Sequence, residues 1–228
     1  MVQVTQLDAP APFELWLADL DVEPAEQALG ALSLDEHERA ARFVFPRDRR
    51  RFLAAHVALR QVLAARTGLE PHSLGFVAGP FGKPRLVDPQ SCTFSLSHGG
   101  DVALIATSPN GEIGVDVEVL RAVEDSLGLA ERNFTAAECA ELASAARGDR
   151  DLVFLRCWTR KEACLKAIGS GLAIAPETFD AGSDPGARAV RIATPAGFAS
   201  VEVRSIGHTP GIVGALAQVL SAPDRWPC

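Results

Sequence analysis

Residues 112–118 read Glu-Ile-Gly-Val-Asp-Val-Glu, and residues 158–166 read Trp-Thr-Arg-Lys-Glu-Ala-Cys-Leu-Lys. The first stretch is an apolar strand that ends in two carboxylates. Asp116 and Glu118 are two apart, so a strand sends both side chains from one face. The second stretch reads as a helix. Glu162 and Lys166 are four apart and share a helical face, with Trp158 a turn earlier. A third carboxylate brought beside the first two makes an all-oxygen set suited to a hard divalent cation such as Mg²⁺. The flanking lysines suit a phosphorylated ligand of that metal.

Outward from these segments the chain reads as alternating blocks of helix and strand. Phe13 to Leu20 is an apolar-rich strand, and a short helix follows Pro24. Ser33 with Glu36 three residues on is a capping box for a helix from Leu34 to about Phe43. Pro46 opens a longer helix to about Thr67, and Gly68 ends it. Leu74 to Val77 and Thr93 to Leu96 read as strands. Val102–Thr107 and Ile113–Val117 are expected to form a hairpin, because Asn110-Gly111 between them is a strong turn signal.

The second half repeats this order. Thr135 and Glu138 cap a short helix, and a long helix spans roughly Asp149 to Ile168 before Gly169. Strand-like runs follow near 188–193, 199–205 and 211–218. The expected fold class is α+β, with two pseudo-symmetric α/β subdomains, 1–110 and 111–228, related by architecture rather than residue identity.

Composition narrows the function classes. The chain has 228 residues, enough for a substantial core, and is 47% hydrophobic and 22% charged, as a soluble globular protein is. Its net charge of −7 argues against nucleic acid as a partner. No basic start followed by an apolar run marks a signal peptide, and no stretch approaches the roughly eighteen apolar residues of a membrane span. The reading is a cytoplasmic protein that does not engage membranes. Its cysteines at 92, 139, 157, 164 and 228 are then expected as free thiols, without metal spacing. Cys157 and Cys164 read as small core residues.

Four motifs stand in register: Gly79-Pro-Phe-Gly-Lys-Pro84, Phe94-Ser-Leu-Ser-His-Gly99, Gly114-Val-Asp-Val-Glu118 and the 158–166 helix. The segment Asp35 to Phe45 adds a fifth match. Together they resemble the Sfp-type 4′-phosphopantetheinyl transferases over about residues 30–185. The Lys-Glu-Ala form at 161–163 is similar to a recognised subgroup of that family. The resemblance implies two pseudo-symmetric halves with the ligand between them. It also implies transfer of phosphopantetheine from coenzyme A to a serine of an acyl or peptidyl carrier protein, with release of adenosine 3′,5′-bisphosphate.

By that resemblance Asp116, Glu118 and Glu162 hold Mg²⁺, and Lys166 contacts the phosphates of the coenzyme. Either Glu162 or a metal-bound water held by Asp116 takes the proton of the carrier serine. Ser97 and His98 hold the coenzyme, with the histidine at a phosphate, and Gly99-Gly100 let the backbone approach the ligand. The turn at Lys83 binds the nucleotide end, partly through backbone atoms. Arg39 and Arg51 match phosphate-binding positions, whereas Arg42, Arg47, Arg49 and Arg50 read as a solvated basic face. Trp158 belongs to the core or supports the metal helix, and residues 119–140 border the pantetheine arm and the carrier.

Two other classes compete with transfer. A coenzyme- or carrier-binding protein without turnover conflicts with the intact carboxylates and Lys166. A Mg²⁺-dependent phosphoesterase would cleave phosphoesters with no carrier present. The pseudo-dimeric build makes a monomer the expected state, and the identity of the carrier is open.

Overall fold

The computed structural model describes residues 2–79, 81–88 and 92–221. Pro80 of the Gly-Pro-Phe-Gly-Lys-Pro motif and Cys228 lie outside them. In chain order the elements are β1 (Val4–Leu7), β2 (Glu14–Asp19), α1 (Glu26–Leu29), α2 (Leu34–Ala41), α3 (Pro46–Thr67), β3 (Phe76–Ala78), β4 (Pro84–Leu86), β5 (Thr93–Gly99), β6 (Val102–Ser108) and β7 (Ile113–Val119). Then come α4 (Ser126–Asn133), α5 (Ala136–Ser144), α6 (Arg150–Ile168), β8 (Arg188–Thr194), β9 (Gly197–Ser205) and β10 (Ile212–Ser221). No helix of the described residues is long and apolar enough to cross a membrane.

Two four-stranded antiparallel sheets carry the fold, in the orders β1-β2-β6-β5 and β7-β10-β9-β8. This corrects the expected hairpin. β6 pairs with β2 and β5, while β7 pairs with β10, so the Asn110-Gly111 link passes from one sheet to the other. The turn signal was read as local pairing. Each strand instead has a partner far away in sequence. The sequence reading also omitted β1, β4 and α4. Ser97 and His98 sit inside β5 rather than after it, Leu74 precedes its strand, and α2 stops at Ala41.

The architectural repeat extends outward from the two capping pairs read in the sequence. Ser33–Glu36 and Thr135–Glu138 both form complete capping boxes, opening α2 and α5. Each capping glutamate then serves a second time. Glu36 pairs with buried Arg60 of α3 at 2.7 Å, and Glu138 with buried Lys161 of α6 at 2.7 Å. Arg60 also donates to the carbonyls of Pro71 and Leu74, and Lys161 to those of Pro176 and Phe179. Both cations lie over a phenylalanine, Phe76 at 5.0 Å and Phe179 at 4.8 Å. A buried cation is costly unless its donors and charge are met, and here both are. Each half thus ties its short helix, its long helix and the following turn through one cation.

Apolar burial does the rest. One cluster joins Phe52, Val57, Leu59 and Leu63 of α3 to Ala103 and Ile105 of β6. Another joins Ala163, Cys164 and Ala167 of α6 to Val201 and Val203 of β9 and Ala215 of β10. A third spans both sheets, through Leu15, Leu104 and Ala106 on one side and Ile113, Val115, Val117 and Leu216 on the other. Full burial of such side chains stabilises by about 1.5–3 kcal/mol each. The alternation along β7 follows from that third cluster. Ile113, Val115 and Val117 face the other sheet, so Gly114, Asp116 and Glu118 take the opposite face.

Cys92, Cys139, Cys157 and Cys164 are free thiols, and all but Cys139 are buried. Burial pushes the Cys164 thiol up to about 12 and Cys157 higher still, which makes them inert core residues as the sequence reading expected.

Candidate active site

Gly114 decides how close α6 comes to β7. A Cβ there would meet the Ala163 carbonyl oxygen and the Ala167 amide nitrogen, each at 2.2 Å. Only glycine lets the helix backbone rest on the strand. Two residues further along β7, Asp116 then faces the turn of α6 that carries Lys166. Lys166 Nζ lies 2.6 Å from Asp116 Oδ1. It also donates to Ser97 Oγ at 2.8 Å, and that hydroxyl donates to the same Oδ1 at 2.7 Å. Three elements, β5, β7 and α6, meet in this triangle.

Ser95 completes the junction by accepting from the Val115 amide at 3.0 Å, so β5 and β7 are joined through serine hydroxyls. Gly99 serves the same approach. A Cβ on it would stand 2.5 Å from the Val117 carbonyl oxygen. The missing side chain of Gly99 thus admits the backbone of β7.

Electrostatics mark the site as rich in negative charge. Burial raises the pKa of Glu162, and the nearby Asp116 carboxylate raises it further against the pull of Lys166. Burial raises Glu118 likewise, with Asp116 adding to it and Arg121 opposing. Lys166 does not pair with Glu162 as their spacing suggested; its charge goes to Asp116. Among the described residues no three carboxylate, imidazole or thiol groups converge as a preformed cation site. The donor set nonetheless suits a hard cation. It consists of carboxylates alone, Asp116 already holds a positive group, and one ammonium answers a surplus of negative charge.

Beside the triangle opens a cleft of about 870 Å³. Its charged lining sets Arg39, Arg42 and Arg60 beside Asp35 and Glu36, with His56 and His98, and Phe43, Phe52, Leu59 and Phe76 supply an apolar part. Its backbone wall includes Gly82 and Pro84 of the turn that the sequence assigned to a nucleotide. Arg39 stacks over Phe52, with 5.4 Å from Cζ to the ring centroid. Burial lowers the pKa of His98, and Lys166 and His56 push it further down, so the ring is neutral near pH 7. A smaller cavity of about 240 Å³ connects the same turn with Leu96 and Lys166.

Against this geometry, two family models match end to end. Residues 22–110 match the N-terminal region of 4′-phosphopantetheinyl transferases, and residues 112–211 match the 4′-phosphopantetheinyl transferase superfamily. A putative 4′-phosphopantetheinyl transferase of Synechocystis is 41% identical over 167 residues, 72% of this chain and 67% of that protein. The transferase HetI of Nostoc is 42% identical over 164 residues, 70% and 69% of the two chains. Sfp of Bacillus subtilis is 28% identical over 160 residues, 70% of each chain. The chain belongs to the 4′-phosphopantetheinyl transferase superfamily. It is a transferase of Sfp type, which moves phosphopantetheine onto carrier proteins.

Two residues expected to bind the coenzyme, Lys83 through its turn and Arg51 at a phosphate, have protein partners in the structure. Lys83 is partly buried, and its Nζ reaches Glu112 at 2.7 Å and the carbonyls of Ile113 and Ala167 at 2.8 and 3.1 Å. Its ammonium thus clamps the start of β7 to the end of α6. Burial lowers its pKa while Glu112 holds it up. Arg51 donates twice to Asp21, at 2.9 Å through both Nε and Nη2, and does not line the cleft. That partnership holds the Asp21 carboxyl down at about 2.

His56 was missed by the sequence reading. Its Nδ1 lies 2.7 Å from Glu36 Oε1, and its ring lies 4.1 Å from that of Phe52. A histidine nearly three turns into a long helix carries no sequence signal of its own. Only the capping glutamate reaching it from α2 marks it. Trp158 packs in the cluster of Phe134, Leu142 and Phe154, its ring stacked on Phe154, and so supports α6 from behind.

Proposed function

We propose that the transferase takes coenzyme A as donor and Mg²⁺ as its metal, and modifies a serine of an acyl or peptidyl carrier protein. The observation that carries this reading is the Ser97–Asp116–Lys166 triangle, with His98, the next residue after Ser97, lining the adjacent cleft. Asp116, Glu118 and Glu162 would hold the metal, which supplies neutralisation of charge on the diphosphate.

The chain's own residues do the remaining work. Arg39 and His98 would receive phosphate groups of the coenzyme in the cleft, and Lys166 a diphosphate oxygen. The carrier serine oxygen bonds to the phosphorus that bears the pantetheine arm. The bond from that phosphorus to the adenosine side breaks, and adenosine 3′,5′-bisphosphate leaves. Glu162 takes the serine proton; burial and the neighbouring Asp116 make its carboxylate more basic than an ordinary one. In this reading residues 1–110 grip the nucleotide, and 111–228 hold the metal, the diphosphate and the carrier. The transferase works as a cytoplasmic monomer, and the carrier docks near residues 119–140.

The test is mass spectrometry of an apo carrier protein incubated with the transferase, coenzyme A and Mg²⁺. A gain of one phosphopantetheine group is expected, and Asp116→Ala and Glu162→Ala should each abolish it in a folded chain. No gain on any of several carriers sinks the reading.

A further inference from the structure

We infer that Lys166 is a resident counter-ion that must leave Asp116 before a metal can take its place, so that metal and phosphate ligand bind as a coupled pair. The inference rests on the reading of Asp116 as a metal ligand given above. Three observations carry it.

The first is which partner Lys166 takes. Glu162 is four residues earlier on the same helix, the usual partner of such a lysine. Lys166 reaches across to β7 instead, and Glu162 has no ion pair among the described residues. The second is how the seat is built. Asp116 Oδ1 takes both the ammonium and the Ser97 hydroxyl, and the hydroxyl itself accepts from the ammonium. All three contacts fall between 2.6 and 2.8 Å. Ser97 is buried, as is Asp116, whereas the Lys166 side chain is 34% exposed. The carboxylate is fixed and the ammonium is the part free to move, on a flexible four-carbon stem. The third is the charge count. Glu118 stands two residues beyond Asp116 on the same face of β7, and Glu162 one turn before Lys166 on α6, so the lysine is the cation between two carboxylate-bearing elements. Lys166 removed without a replacement leaves a worse excess of negative charge.

These facts set an order of exchange. A divalent cation held by Asp116 would need the carboxylate oxygen that now accepts from the ammonium. An ammonium at 2.6 Å on the same oxygen would then face a dication at close range, in a partly dry site. Lys166 therefore has to go. With no anion beside it, the ammonium loses both Asp116 and Ser97 and gains only water. With a phosphate present it regains a charged partner. Metal alone thus displaces Lys166 at a cost that metal and phosphate together do not meet. By linkage the phosphate ligand tightens the metal by the same factor as the metal tightens the phosphate ligand.

The experiment is calorimetric titration of Mg²⁺ into the full chain, with and without coenzyme A. No carrier protein is present, so nothing turns over. The wild-type chain should bind Mg²⁺ weakly alone and much more tightly with coenzyme A. Lys166→Met should bind Mg²⁺ alone about tenfold more tightly than wild type, and coenzyme A should then tighten it far less, within the fivefold to 150-fold range typical of such coupling. Lys166→Gln is measured beside it, with a thermal melt of each variant, so a folding failure in one leaves the other informative. Unchanged or weaker Mg²⁺ binding by the folded variants overturns the inference. So does a tightening that is equal with and without coenzyme A, which reduces Lys166 to bulk charge. If neither wild type nor variant takes up Mg²⁺ under any condition, the metal reading itself fails and the inference with it.

Discussion

Gly114 of β7 lies so close beneath Ala163 of α6 that a methyl group on it would stand 2.2 Å from the Ala163 carbonyl oxygen. The obstacle is backbone on both sides, so no side-chain rotation relieves it. Gly114→Ala must lift the helix from the strand that carries Asp116. A cost of about 3 kcal/mol, the upper end of overpacking, is expected in urea unfolding. Transfer should fall further than the lost folded fraction explains, because the same shift draws Lys166 from Asp116. Full activity of the folded variant would show that the site tolerates a wider gap between helix and strand.

How this contact escaped the sequence reading shows where such reading stops. The strand alternation that puts Asp116 and Glu118 on one face, and the capping pairs at Ser33 and Thr135, depend on neighbours a few residues away, and both appear in the structure. Gly99 and Gly114 each make room for a segment distant in the chain, and Lys83 answers a glutamate 29 residues away. Local spacing holds no information about those partners. The Asn110-Gly111 turn failed for the same reason, since the long-range pairing of β7 with β10 outcompetes a hairpin with β6.

Acid should weaken the first half through Glu36. Burial alone would raise its carboxyl, but His56, Arg60 and the Ser33 amide outweigh that and hold it at about 2, against an ordinary 4.5. A carboxyl depressed in the folded state contributes stability that is fully present above 4.5. That stability is lost as pH falls from 4.5 toward 2. The shift corresponds to roughly 3 kcal/mol over that window. Glu36→Gln should lose most of this dependence and also destabilise the chain at pH 7, because Arg60 is left buried without its counter-charge. Unfolding curves of both proteins from pH 7 down to 3 check it.

Lys161 stands beside the proposed metal ligand Glu162, yet its ammonium turns away to Glu138, Pro176 and Phe179. It is a structural residue inside the motif. Lys161→Met should destabilise by about 3–5 kcal/mol, since Glu138 stays buried and unpaired. Turnover per folded molecule should stay near wild type. Adding Glu138→Gln should recover part of the lost stability, because the uncompensated charge is gone. A collapse of turnover in the folded Lys161→Met chain would give Lys161 a direct part in the reaction.

Arg39 and Arg51 both matched phosphate-binding positions, and the structure separates them. Arg39 lines the cleft above Phe52, with its guanidinium open to a ligand. Both of its Arg51 counterpart's best-placed donors are committed to Asp21. A charged hydrogen bond contributes about 1.5–3 kcal/mol, or roughly tenfold and more in affinity. Arg39→Ala is therefore expected to raise the KM for coenzyme A at least about tenfold. Arg51→Ala should leave that KM unchanged, because no phosphate contact is lost. A comparison with 3′-dephospho-coenzyme A sharpens the assignment. If Arg39 holds the 3′-phosphate, the variant and wild type should use the dephosphorylated donor equally well. A rise in KM for Arg51→Ala equal to that of Arg39→Ala would mean that Arg51 abandons Asp21 when the coenzyme binds.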